Sequence, residues 1–133
     1  MLKITQCFIS GVFALFIAQG CSKEPGPGGN ASIQGKVLVQ SFNSNCSALI
    51  SEYYDVDQDV YLIYGDDPSY SERVRTGPGG VYWFPYLRKG DYTVYAISET
   101  CSPIGGDTIS AQTVTITNKD ESLELEDIII VSR

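Results

Sequence analysis

Asp55, Asp57 and Asp59 stand at alternate positions of one segment. In an extended chain alternate side chains share a face, so the three carboxylates would form a small oxygen-rich edge of the kind that suits Ca²⁺. The spacing is not that of an EF-hand loop, because Val60 stands where that loop requires glycine. The competing reading is a solvated acidic entry to a strand. Other carboxylates, Asp66-Asp67 and Glu124, Glu126 and Asp127, are the residue type of hydrolytic acid–base pairs, but nothing in the sequence brings the two groups together. Histidine is absent from all 133 residues. This removes Ser-His-Asp and Cys-His nucleophiles, histidine metal sites and the usual proton shuttle near neutral pH. The expectation is a chain that is not an enzyme and needs no cofactor beyond the Ca²⁺ that the aspartates would take.

Aromatic side chains are the second resource. There are nine tyrosines and one tryptophan. By period-2 alternation Tyr82, Phe84 and Tyr92 share the parity of a core face, whereas Tyr61, Trp83 and Tyr95 have the opposite parity and are expected to point outward. Exposed rings suit stacking on a glycan or contact with a protein. The alternative is cross-strand pairing that only stabilises a sheet.

The elements that must position these residues are strands. After the first 30 residues no helical period is evident; alternation recurs between turn residues. Strands are expected over residues 32–40, 59–64, 71–76, 81–84, 91–98 and 111–117, with a last strand or broken pair over 122–132. In that last segment Leu123 and Leu125 differ in parity from Ile128 and Ile130, so a bulge near Glu126-Asp127 is needed to keep one inward face. Residues 41–58 and 99–110 read as long loops, and Gly77-Pro78-Gly79-Gly80 as a turn. Seven short strands with glycine-rich turns indicate an all-β, seven-stranded antiparallel β-sandwich over residues 32–133.

The N-terminus sets the compartment. Lys3 precedes an apolar run over residues 7–18 that is too short to span a bilayer as a helix. Ala18-Gln19-Gly20-Cys21 closes it and resembles a bacterial lipoprotein signal, with Ala18 where leucine is the usual residue. The resemblance implies cleavage after residue 20 and lipidation of Cys21. Three acyl chains give stable anchoring. Ser22, rather than aspartate, favours the outer membrane; whether the domain faces the periplasm or the cell surface stays open. Residues 21–31, rich in proline and glycine, read as a tether. Without residues 1–20 the chain keeps 113 residues and loses one of its nine cationic side chains and none of its sixteen acidic ones, a formal charge of −8. Such a chain should repel nucleic acid.

Of four cysteines, Cys7 leaves with the leader and Cys21 takes lipid. Cys46 and Cys101 remain, in an oxidising compartment, and a disulfide between them is expected over two free thiols. Alternating strand directions put residues 41–58, 77–80 and 99–110 at one end of the domain, which brings both cysteines together independently of their even number.

Asp59-Val60-Tyr61-Leu62, then Thr76 to Gly80, Tyr82, Phe84, Leu87, Gly90, Tyr92, Val94 and Ala96 resemble the strand cassette of prealbumin-like sandwiches, the carboxypeptidase regulatory-like and Cna-B-like domains. The resemblance implies a spacer, stalk or accessory module rather than a particular ligand. Some Cna-B-like domains hold a Lys–Asn isopeptide bond. Lys36 points away from the core by alternation and the last strand has no asparagine, so that bond is not expected. Asp107-Thr108-Ile109 resembles the O-glycosylation sites of some bacterial surface proteins. The partners implied are a membrane, through the lipid, and an envelope protein or glycan.

Overall fold

The computed structural model describes residues 24–133. The leader expected over residues 1–20 and the lipid site Cys21 lie outside the described residues. Nine strands form: β1 (Pro27–Phe42), β2 (Leu49–Tyr54), β3 (Asp59–Tyr64), β4 (Glu72–Arg75), β5 (Val81–Leu87), β6 (Gly90–Glu99), β7 (Asp107–Ile116), β8 (Ser122–Glu124) and β9 (Ile128–Ser132). They make two sheets. One has the order β4-β3-β6-β7 and is antiparallel throughout. The other is built on β1, which is flanked by β5 and β8 around Ile33 and Gln34 and by β2 and β9 from Leu38 to Ser41.

The core between the sheets follows the alternation. Ile33, Val37 and Val39 of β1 meet Val60 and Leu62 of β3, Tyr82 and Phe84 of β5, Tyr92, Val94 and Ala96 of β6, and Ile128 and Ile130 of β9, all buried. Burial of each such aliphatic or aromatic side chain contributes roughly 1.5–3 kcal/mol. Among the described residues the buried cluster runs from Ala31 on β1 to Ile130 on β9 and draws on both sheets.

The expected seven antiparallel strands are corrected to nine, and β7 opens at Asp107 inside the segment read as the loop 99–110. Residues 41–58, read as a polar loop, contain β2, paired antiparallel with β1. All six residues of β2 are exposed. A strand that buries neither face has no reason to alternate, so its sequence did not announce it. The sheet around β1 is also mixed rather than antiparallel, because β8 and β9 both run parallel to it. The expected break near Glu126-Asp127 is what separates those two strands. The Leu125 N–H still donates to the Gln34 carbonyl at 2.8 Å. Beyond it the phase changes, so that Ile128 and Ile130 are buried after the half-buried Leu123 and Leu125.

The first strand also starts inside the segment read as tether. The Gly26 N–H donates to the Tyr92 hydroxyl at 2.9 Å, and that hydroxyl donates to the Arg88 carbonyl at 2.7 Å. The Arg88 N–H closes the loop on the Gly26 carbonyl at 2.9 Å. This is a tyrosine corner, a phenol tied to backbone four residues upstream, here recruited to hold down the start of the domain.

At the opposite end Cys46 and Cys101 are disulfide-bonded, with Cα atoms 5.6 Å apart. The bond joins the β1–β2 loop to the β6–β7 loop, as expected.

Candidate functional site

The three aromatics expected to face outward do not share a surface. Tyr61 and Tyr95 are cross-strand partners on the outer face of the four-stranded sheet. Their rings stack with centroids 4.9 Å apart and planes 13° from parallel. Tyr70 closes on Tyr61 edge-on at 4.9 Å. Both paired tyrosines are half-buried, and burial together with the two neighbouring phenols raises the Tyr95 pKa above its ordinary value. Their ring faces are largely used by one another, which is the sheet-stabilising arrangement.

Trp83 lies on the other sheet. The run Val81-Tyr82-Trp83-Phe84 alternates: Tyr82 and Phe84 are buried, while Trp83 is 52% exposed. No other ring stacks on Trp83 among the described residues. Directly opposite Trp83 on β1 is Gln34, and opposite Gln34 on β8 is Glu124. Partners in register point to one face, so indole, amide and carboxylate form a single row across three strands. Gln34 and Glu124 are both exposed. Gln34, Lys36, Val81 and Glu124 border a shallow depression of about 90 Å³ beside the row. On the other side the Ser32 and Ser122 hydroxyls are hydrogen-bonded at 2.9 Å.

The face continues toward Tyr54. The Lys36 ammonium sits 5.2 Å above the Tyr54 ring, and the Tyr54 hydroxyl donates to Asp127 at 2.6 Å. The bond to the Asp127 carboxylate holds the Tyr54 phenol above its usual pKa. The outer face of the β1 sheet thus presents one uncovered indole edged by amide, carboxylate, hydroxyl and ammonium groups. This is a surface that can stack on an apolar sugar face and hydrogen-bond its hydroxyls.

The strand that carries Trp83 is bent locally. Pairing shifts between Ala31 opposite Leu87 and Ile33 opposite Phe84. Pro85 and Tyr86 therefore oppose the single residue Ser32 in a bulge with one extra residue, and Tyr86 has φ of +59°. A non-glycine residue there costs on the order of 1–3 kcal/mol. The bulge lets Phe84 and Leu87 both face the core although they are three residues apart, and it leaves Tyr86 67% exposed.

The backbone does not hold the three aspartates in the alternation expected of them. Asp57 has φ of +58°, which breaks the alternation that would have aligned the three side chains. Asp59 is occupied by cations: the Arg75 Nε donates to it at 3.2 Å, and the Arg73 Nε lies at 4.0 Å. Among the described residues no group of three acidic or cysteine side chains is placed to hold a metal ion. Asp66 and Asp67 lie in the β3–β4 turn beside a cleft of about 510 Å³ with Glu24 and Asp91, apart from the Tyr54-bound Asp127. Thr108 is exposed on β7, opposite Ser98.

The placement of Glu124 beside Gln34 was not legible in the sequence, because its strand is three residues long and parallel to its neighbour.

No family model matches the chain, and no curated protein does. Among solved structures it is similar to a candidate carbohydrate-binding protein of Pseudomonas aeruginosa. The identity is 13%, 80% of this chain and 91% of that one are covered, and the TM-score is 0.48.

Proposed function

We propose that this chain is a non-catalytic recognition module of the bacterial outer membrane, anchored through lipid on Cys21, and that its ligand is a glycan bound along the Trp83 face. One observation carries the reading: Trp83 is half-exposed and free of aromatic neighbours among the described residues, in register with Gln34 and Glu124. A flat row of this kind suits the side of a saccharide chain rather than a small molecule that needs enclosure. Anchoring rests on the sequence before Cys21. The non-catalytic part rests on the missing histidine and on the cleft that holds Asp66 and Asp67 being lined by none of Glu124, Glu126 and Asp127.

Trp83 is the single tryptophan of the chain, so intrinsic fluorescence reports on this face alone. Titration of residues 24–133 with a broad panel of envelope and plant polysaccharides should shift or quench that emission for at least one member. In a pull-down with that polysaccharide, Trp83→Ala should lose retention at least tenfold while melting within a few degrees of the parent. A flat response across the panel, or retention unchanged in Trp83→Ala, refutes the glycan reading.

A further inference from the structure

We propose that β2 is an interface between two copies of this chain, joined antiparallel along their free β2 edges about a two-fold axis at Ser51. The surface is unusual in one place. Leu49, Ile50, Tyr53 and Tyr54, together with Val56 just beyond, are all 43–66% exposed. Among the described residues β2 pairs only with β1 and ends its sheet, which leaves the backbone groups on its other side without a strand partner there. An exposed apolar edge strand is a template for another strand. Natural edges are usually blunted by charge or proline, and here the only charged residue is Glu52. Its carboxylate is drawn back toward β1, where the Gln40 amide donates to it at 2.8 Å.

The sequence of β2 is compatible with a second copy as occupant and disfavours a register centred on Glu52. In an antiparallel pair, residues directly opposite must point to the same face. Two identical strands can therefore pair only about a residue, not between two. A centre at Glu52 would set the two carboxylates against each other, which is destabilising. A centre at Ser51 places small hydroxyls together at the axis. Leu49 then meets Tyr53 of the second copy, and Ile50 meets Glu52, each twice by symmetry. Beyond the strand, Ser47 falls opposite Asp55, a hydroxyl facing a carboxylate. The strand is thus self-complementary in one register and repulsive in the next.

The pairing has a geometric consequence. It runs the two β1 strands antiparallel, so the Gly26 ends point away from one another and both disulfides lie near the joint. The acidity of the chain, formal charge −7, opposes the association at low ionic strength. Salt that screens exposed charges over about 10 Å should strengthen it.

Sedimentation equilibrium of residues 24–133 tests the proposal. A monomer–dimer equilibrium is expected that tightens between low salt and about 0.15 M salt. Ser51→Asp, which puts like charges at the axis, should weaken it on the order of tenfold or more. Ile50→Lys, which faces Glu52 of the second copy, should strengthen it. Ser51→Cys should give a covalent dimer on mild oxidation, since opposed residues in an antiparallel pair have Cα atoms about 4.5–5.5 Å apart, while Glu52→Cys should not. Cross-linking at Glu52→Cys in place of Ser51→Cys overturns the proposal. So does a monomer up to about 1 mM, or a dimer that Ser51→Asp leaves unchanged.

Discussion

Gly35 and Tyr82 are cross-strand partners, and the tyrosine ring occupies the space that a side chain on Gly35 would need. A Cβ there would lie 2.7 Å from the ring Cζ and 3.0 Å from Cε1. The glycine sits on the core face of β1 between Ile33 and Val37, both fully buried. It is the gap into which the largest core residue folds. The pair is next in register to Gln34 and Trp83 of the outer row. Gly35→Ala should therefore destabilise residues 24–133 by about 1–3 kcal/mol, the usual cost of overpacking. Urea denaturation with an unchanged m-value would show it, and a cost below the error of the fit would mean that the ring moves aside freely.

The hydroxyl of Tyr82 supplies a second prediction. It is buried without a hydrogen-bond partner among the described residues, and burial, aided by the nearby Asp127, drives its pKa above the ordinary tyrosine value. An orphaned buried hydroxyl costs about 1–3 kcal/mol. Tyr82→Phe should leave stability unchanged or raise it by about 1 kcal/mol. It should also recover part of the loss in Gly35→Ala, because the oxygen is the ring atom nearest the added methyl. Equal and additive losses in the two single variants would contradict this.

Much of the fold was legible because burial writes a period into a strand. Tyr82, Phe84 and Tyr92 read as inward and are inward. The joining of Cys46 to Cys101 followed from counting strand directions. β2 was illegible for the converse reason: with both faces in water its residues obey no alternation. The start of β1 was hidden by composition, since Pro25, Gly26, Pro27 and Gly28 read as linker, and the groups that order Gly26, the Tyr92 hydroxyl and the Arg88 N–H, are more than 60 residues away in sequence. For the site, the outward parity of Trp83, Tyr61 and Tyr95 was correct, but parity does not say which sheet a strand joins. Assigning Trp83 to one sheet and the tyrosine pair to the other is long-range information. So is the placement of Glu124 beside Gln34, some 90 residues away along the chain.

The tyrosines also predict how the domain responds to alkali. Burial raises the pKa of Tyr64, Tyr82 and Tyr92 above 10. In the unfolded chain these phenols lose their protons near pH 10, while the folded chain retains them. Above that pH the unfolded state therefore binds fewer protons, and stability falls as pH rises. Below about pH 9.5 the contribution is fully present. Denaturation midpoints should be flat from pH 7 to about 9 and fall beyond about pH 10. Phenolate absorbance should show a fraction of the tyrosines titrating only as the domain unfolds. A single transition at the free-tyrosine pKa in the folded state would contradict the burial of these rings.

The aspartates yield a prediction about ions. With Asp59 held by Arg75 and Arg73 and Asp57 turned out of line by its backbone, millimolar Ca²⁺ should leave the melting temperature unchanged within error. A stabilisation that saturates would instead reveal a site, since a ligand that binds only the folded state stabilises by mass action. Asp59→Asn should cost less than about 1 kcal/mol, because the ion pairs it breaks are exposed.

The disulfide bears on the β2 surface, because it closes the loop that leads into β2. Cys46 and Cys101 are 55 residues apart in sequence, and a cross-link over a loop of that length restricts the unfolded chain by about 4 kcal/mol in the chain-entropy model. The loops it ties bury little apolar surface: Ile104 is 96% exposed. Most of their order thus comes from the bond and from contacts such as the Asn43 N–H to the Ala48 carbonyl at 3.1 Å. The Cys46→Ser/Cys101→Ser double variant should stay folded at low temperature, since no core residue is touched, but lose about 3–4 kcal/mol. Hydrogen exchange should localise the loosening to residues 43–54 and 99–108 and spare the Trp83 row. Loss of protection at Trp83 and Gln34 of the same size as at β2 would show that the bond supports the whole sandwich rather than its far end.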